Sequence, residues 1–176
     1  MIEKSTAEDE PQDVAIAQAV ESMLLSIVSN ATLSQIRAVE DNIIDRGLNE
    51  KDTINSQGMV DKLIPGMYAR VLNIPKGTFL IGKIHKRPYI DICASGDITL
   101  KSFLHDGSLE ETERINGFKF MEGKAGRKRV GFAHEDTVWI TVDPTSATCI
   151  EEAERDITTL QMDEYLNIVE VAAWVG

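Results

Sequence analysis

The first twelve residues are polar and acidic and show no apolar period, which predicts a disordered tail over residues 1–12. At residue 13 the texture changes. Ile16, Val20, Met23, Leu24, Ile27 and Val28 recur mostly at steps of three and four, the spacing that places side chains on one face of a helix. Ser29-Asn30 interrupts the pattern. Thr32 with Gln35 then makes a capping-box pair, in which the hydroxyl accepts from an early helical N–H and the amide side chain reaches back. Leu33, Ile36, Ile43 and Ile44 carry a second helix, and Gly47 is placed to end it. Residues 13–47 therefore read as a helical hairpin with an apolar face to bury, on the rest of the chain or on a second copy.

Residues 48–63 are polar and weakly patterned, which predicts a linker. After Pro65-Gly66 the period shortens to that of strands. Short stretches rich in β-branched and aromatic residues lie at 67–73, 77–84, 89–93, 97–103, 115–121, 128–133 and 136–142. Turn signals separate them: Pro75-Lys76-Gly77, Ser95-Gly96-Asp97, His105-Asp106-Gly107 and the run from Gly123 to Gly126. Seven short strands without intervening helices predict a mainly β fold, a closed sandwich or barrel, over residues 64–148. Residues 149–176 form a C-terminal extension, with a helical turn at 149–156 and an apolar stretch at 164–174 that fits a helix or an edge strand equally.

Charge changes the picture of partners. The chain has 176 residues and a formal net charge of −11. The excess acid lies at the ends: residues 1–50 carry 3 basic and 10 acidic residues, and residues 151–176 carry 1 and 7. The middle is slightly basic, with 7 and 4 over residues 51–100. This acidic protein is a poor general binder of nucleic acid, whose phosphates it would repel. An anion would be met in the middle of the chain. The apolar run at 23–28 is far short of the ~20 residues that cross a bilayer, so no membrane partner is expected. No basic segment followed by an apolar one opens the chain, and Cys93 and Cys149 are too few to staple a fold, which predicts a cytoplasmic protein with free thiols.

Two segments carry a resemblance: IPKGTFLIGKIHKRPYIDICASGDITL and, further on, GRKRVGFAHEDTVWITVDPT. They resemble the two motif regions of the cupin superfamily, closest in texture to small cupin-like proteins encoded by tailed bacteriophages and prophages. The resemblance covers residues 62–148. It implies a cupin-type antiparallel jelly-roll barrel, here with an N-terminal helical hairpin and a short C-terminal extension, and a homo-oligomer. It also implies a place in the host cytoplasm or a virion, with a protein partner. In the family's first motif, a glycine is followed after five residues by His-x-His, then a Glu and a second glycine. Set on Gly77 and Gly96, the histidine positions fall on Lys83 and His85 and the Glu position on Tyr89. The second motif, Pro-x-Gly-x-x-His, set on Gly126, puts Arg129 where the histidine would be.

Of four metal-ligand positions only His85 keeps a ligating side chain, because protonated lysine and arginine cannot coordinate a cation. No cofactor is therefore expected. A residual metal set would join His85 to His134 with an acid such as Asp91 or Glu135, the two-His-one-carboxylate arrangement. Adjacent His134 and Glu135, however, point to opposite faces of a strand. Lys83, His85, Tyr89 and Arg129 instead suggest a pocket for a small anion or phosphorylated metabolite, flanked by Lys86, Arg87, Arg127 and Lys128. Strand alternation requires some of residues 127–129 to point outward. No serine or cysteine has the setting of a nucleophile, and GKAGRK lacks the spacing of a phosphate loop. The leading expectation is a non-enzymatic binding or interaction protein with a degenerate, metal-free barrel, a structural or host-modulating component. The alternatives are the anion pocket and a metal-dependent isomerase or oxygenase.

Overall fold

The computed structural model describes residues 10–46 and 58–159. Two helices open it, α1 (Glu10–Asn30) and α2 (Leu33–Asp45). The capping box forms as the spacing requires: Thr32 Oγ1 accepts from the Gln35 N–H, and Gln35 Oε1 accepts from the Thr32 N–H at 2.9 Å. Helix α1 begins at Glu10, so the acidic start at 10–12 is helical rather than a disordered tail. Gly47 lies outside the described residues, as do residues 1–9 and the apolar stretch at 164–174.

Ten strands follow: β1 (Met59–Ile64), β2 (Met67–Ile74), β3 (Phe79–Ile81), β4 (Ile84–His85), β5 (Tyr89–Ser95), β6 (Asp97–Phe103), β7 (Leu109–Asn116), β8 (Lys119–Gly123), β9 (Lys128–Ala133) and β10 (Thr137–Pro144). Helix α3 (Ile150–Ile157) and the two-residue β11 (Thr158–Thr159) complete the described chain. All pairings are antiparallel. One sheet runs β1-β2-β10-β5-β8, the other β3-β9-β6-β7, and β11 pairs with β4. The two sheets close into a jelly-roll barrel.

Three sequence expectations are corrected. The linker read at 48–63 overlaps β1, whose Asp61 breaks the apolar alternation only because it is an ion-pair partner inside the fold. The strand expected at 115–121 is interrupted by a turn at Gly117-Phe118, between the end of β7 and the start of β8. Gly117 has φ +83° and donates its N–H to the Gly96 carbonyl at 2.7 Å, which leaves Phe118 73% exposed in the turn. Strand β7 itself, LEETERIN, escaped notice because an edge strand facing water is mostly polar. The stretch at 77–84 is broken in two at Gly82-Lys83.

The hairpin buries its apolar face on the barrel of its own chain. Val28, Leu33 and Ile36 pack with Ile84, Phe103, Val130 and Phe132. Two buried lysines fasten it. Lys101 of β6 donates to the carbonyls of Ser29 (2.9 Å) and Ala31 (2.8 Å) where α1 ends, and Lys128 of β9 pairs with Glu40 of α2. Earlier in α1, Ile16, Val20 and Met23 remain exposed, so the helical stripe is buried only over its last turns. On the opposite side, the outer face of the five-stranded sheet carries an unbroken apolar row, Val60–Val71–Ile140–Ile92–Phe120, matched strand to strand by register.

Candidate functional site

The barrel interior is stratified because inward side chains on neighbouring strands share a register. On the five-stranded sheet, Leu72, Trp139 and Cys93 lie opposite one another; two residues along, so do Arg70, Thr141 and Asp91. The facing sheet repeats the order. Leu100 pairs with Gly131 and Gly131 with Leu80, while two residues along Ser102 pairs with Arg129. An apolar layer thus underlies a charged one. A further step brings Tyr68 opposite Asp143, close to α3 and β11.

A cavity of about 620 Å³ opens between these layers. Lys83, His85, Tyr89 and Arg129 all line it, so the four positions picked out by motif register do converge on one space. Ile43 and Ile44 of α2 and Ile157 of α3 contribute to its wall. His134 is not among the lining residues; Thr99 holds its Nε2 at 2.7 Å, and the structure does not join it to His85.

Asp91 is the centre of the charged layer. It is 1% exposed, and it accepts from Arg129 and from Trp139 Nε1 at 3.1 Å. Arg127 Nη2 stands 3.5 Å from the same carboxylate, and Arg127 Nη1 stands 3.6 Å from Glu110, which also pairs with Lys124. The result is a chain of alternating charge, Lys124–Glu110–Arg127–Asp91–Arg129, with three cations and two anions. Burial pushes the Glu110 carboxyl up, but Lys124 and Arg127 outweigh it and hold it below its ordinary range. Among the described residues, neither Arg127 Nε nor Arg129 Nε finds an acceptor, although both are buried.

Among the described residues Glu110 Oε2 and Asp143 Oδ2 are buried without a hydrogen-bond partner, and the other polar groups of the site are paired as follows. Arg70 pairs with Asp61 (2.8 Å) and with Glu154 of α3. Tyr68 donates to Asp61 at 2.6 Å, and burial together with that hydrogen bond drives its phenol well above its ordinary range. His85 Nδ1 lies 2.7 Å from Asp143, and its ring stacks on Tyr89 with centroids 3.6 Å apart. The Tyr89 ring in turn lies against Gly123, where an added Cβ would sit 2.4 Å from it; the glycine belongs to β8 rather than to the turn expected there. Burial first, then Asp91, push the Tyr89 phenol up to about 12, so it stays a neutral hydrogen-bonding group at ordinary pH.

The flanking cations divide differently from the sequence expectation. Lys86 and Arg87 serve α3, donating to the Arg155 carbonyl and to both oxygens of Asp156. None of residues 127–129 points into water, because the outward Lys128 ends under α2 on Glu40. Sequence reasoning missed Arg70 and did not give Asp91 its role as counter-ion. Their partners come from distant parts of the chain, and only the fold brings them together.

The four positions where the family resemblance would place a metal hold a lysine, a histidine, a tyrosine and an arginine, and the arginine is committed to Asp91. Among the described residues no three of His, Cys, Asp and Glu are grouped to hold an ion.

Compared with protein-family models and with curated proteins, the sequence matches none. Solved structures do resemble it. KdgF from a Halomonas species aligns over 52% of this chain and 83% of its own, with 13% identity and a TM-score of 0.41. The cupin domain of Schizosaccharomyces pombe Cnp3 aligns over 56% and 66%, with 17% identity and a TM-score of 0.39. Bacillus subtilis oxalate decarboxylase aligns over 59% of this chain and 31% of its own, with 13% identity and a TM-score of 0.42. Of these three, the Cnp3 domain is described as a cupin. What the pocket can do follows from its own residues. No helix among the described residues is long and apolar enough to cross a membrane.

Proposed function

We propose that the protein is a non-enzymatic binding protein whose metal-free barrel holds a small organic anion. One observation carries this reading: two largely buried arginines, Arg127 and Arg129, stand in the wall of a roughly 620 Å³ cavity. Small-molecule sites run from about 300 to 1,000 Å³. A hydrogen bond to a charged group contributes about 1.5–3 kcal/mol, which an anion reaching these guanidinium groups gains. Arginine adds a planar fork matched to a carboxylate or phosphate. Trp139 lines the cavity and bonds Asp91, so its fluorescence reports the site. Titration with formate, benzoate and inorganic phosphate is expected to change that emission and raise Tm, with both effects lost in Arg129→Met and the emission change lost in Trp139→Phe. Neither emission nor Tm moving for any anion at tens of millimolar overturns the reading.

The resemblance to phage-encoded proteins supports an interaction role, structural or host-modulating, and the outer apolar row supports the surface for it. The occupant we assign to that face is a second copy. Beside the apolar row runs another, Lys62–Ala69–Val142–Ile90–Glu122. About a two-fold axis parallel to the strands, β1 of one copy lies over β8 of the other, so each Lys62 meets a Glu122 around an apolar centre. Light scattering is expected to give the mass of two chains, reduced to one by Ile140→Arg. A wild-type monomer at micromolar concentration overturns the assembly and leaves the pocket untouched.

A further inference from the structure

Resting on the anion-pocket reading, we infer that the ligand is a carboxylic acid with a single negative charge and an apolar body. The charged layer sets the head group. The chain from Lys124 to Arg129 has an excess of one positive charge, and its Arg127 and Arg129 line the cavity. A carboxylate has two oxygens and one charge to match. Next to this excess, Arg70 is already outnumbered by Asp61 and Glu154, and Asp143 lies two residues beyond Thr141 on β10. A doubly charged phosphate would face these carboxylates as well as the arginines.

The layer beneath sets the body. Leu72, Leu80, Leu100 and Trp139 line the same cavity one inward position from the charged residues, and Ile98 lies one position further. Two residues of strand span about 7 Å, so a group bound at Arg129 meets aliphatic wall within a few carbon atoms. The hydroxyls of a sugar placed there would be buried without partners, at a cost of about 1–3 kcal/mol each by mutational measure. Methylenes placed there gain instead.

The test is calorimetric titration of the unaltered chain with straight-chain acids from acetate to octanoate, with 3-phenylpropionate, and with octanol, succinate and glycerol 3-phosphate as controls. Burial of each added methylene is expected to tighten binding roughly fourfold until the cavity is filled. Octanol is expected to bind at least tenfold more weakly than octanoate, and succinate and glycerol 3-phosphate more weakly than butyrate. Arg129→Met is expected to lose at least tenfold for octanoate while leaving octanol unchanged; should that variant not fold, the series on the unaltered chain still decides. A flat acid series beside tight succinate or phosphate ester binding overturns this inference and spares the anion pocket. Octanol equal to octanoate overturns it too. Silence toward every anion overturns the pocket reading itself.

Discussion

Replacing Asp91 by asparagine removes one charge and almost no volume, and it acts where two buried cations share one counter-ion. In the native protein the carboxylate receives Arg129 and Trp139 Nε1, with Arg127 Nη2 at 3.5 Å. Asparagine keeps one acceptor for the indole but turns an N–H₂ group toward a guanidinium. Arg127 retains Glu110 at 3.6 Å; Arg129 keeps no carboxylate among the pairs described. Breaking a buried pair by removing one partner costs about 3–5 kcal/mol. In a chain of this size each kcal/mol lowers Tm by about 2–4 °C, so a fall of roughly 6–20 °C is expected by differential scanning calorimetry. The same logic predicts a rescue. Formate entering the cavity supplies the missing charge, and at a hundredfold excess over its Kd it returns about 2.7 kcal/mol. The wild type, which already has its carboxylate, is expected to gain less from formate than Asp91→Asn does. A Tm within 2 °C of wild type, or a rescue equalled by sodium chloride, refutes the view that Asp91 is the counter-ion of this cavity.

Other predictions concern the framework. Lys101→Met leaves the Ser29 and Ala31 carbonyls without their donor at the α1–α2 corner, and a loss of about 1–3 kcal/mol is expected. Hydrogen exchange should rise first in the hairpin, and unchanged exchange there would count against the lysine as its fastening. Asp156 is held at about 2, below its ordinary 3.8, by the paired hydrogen bonds from Arg87 and by Thr145. A depressed carboxyl contributes stability that is full above about pH 4 and is lost as pH falls toward 2. Because the Arg87 side chain is 49% exposed, solvent screening reduces the effect to about 1 kcal/mol. Acid unfolding of Asp156→Asn should be flatter across that window, and coincident curves would reject the assignment.

Strands rich in β-branched and aromatic residues and bounded by turn signals were legible from sequence. β6 and β9 fall at 97–103 and 128–133 as read, and the Thr32/Gln35 capping box announced α2. β1 and β7 were not legible. The first hides an inward acid that needs Arg70 and Tyr68 from the next strand, and the second is polar because water covers it. The site divides the same way. Motif spacing picked out Lys83, His85, Tyr89 and Arg129, which line one cavity, and spacing along the chain is a local property. Burial of the 127–129 run was illegible because it depends on α2 supplying Glu40, and α3 supplying Glu154 to Arg70 lies 84 residues from its partner. Local period tells where a side chain starts; the partner at its far end is a property of the closed barrel.

That distinction bears on whether the interior charges serve stability or binding. Buried ion pairs are weak stabilisers, and replacing a whole group by apolar side chains of similar volume is often neutral or favourable by about 1–4 kcal/mol. Arg127, Asp91 and Arg129 border an apolar layer that could extend through them. The combined variant Arg127→Met, Asp91→Leu, Arg129→Met is therefore expected to melt at or above the wild-type Tm, while Asp91→Asn alone melts far below it. It is also expected to lose carboxylate binding completely. If the triple variant is destabilised as much as the single one, the three charges are a structural unit and say nothing about a ligand. If it is as stable as predicted and blind to carboxylates, the charges add nothing to folding and are retained at the cavity for what they bind.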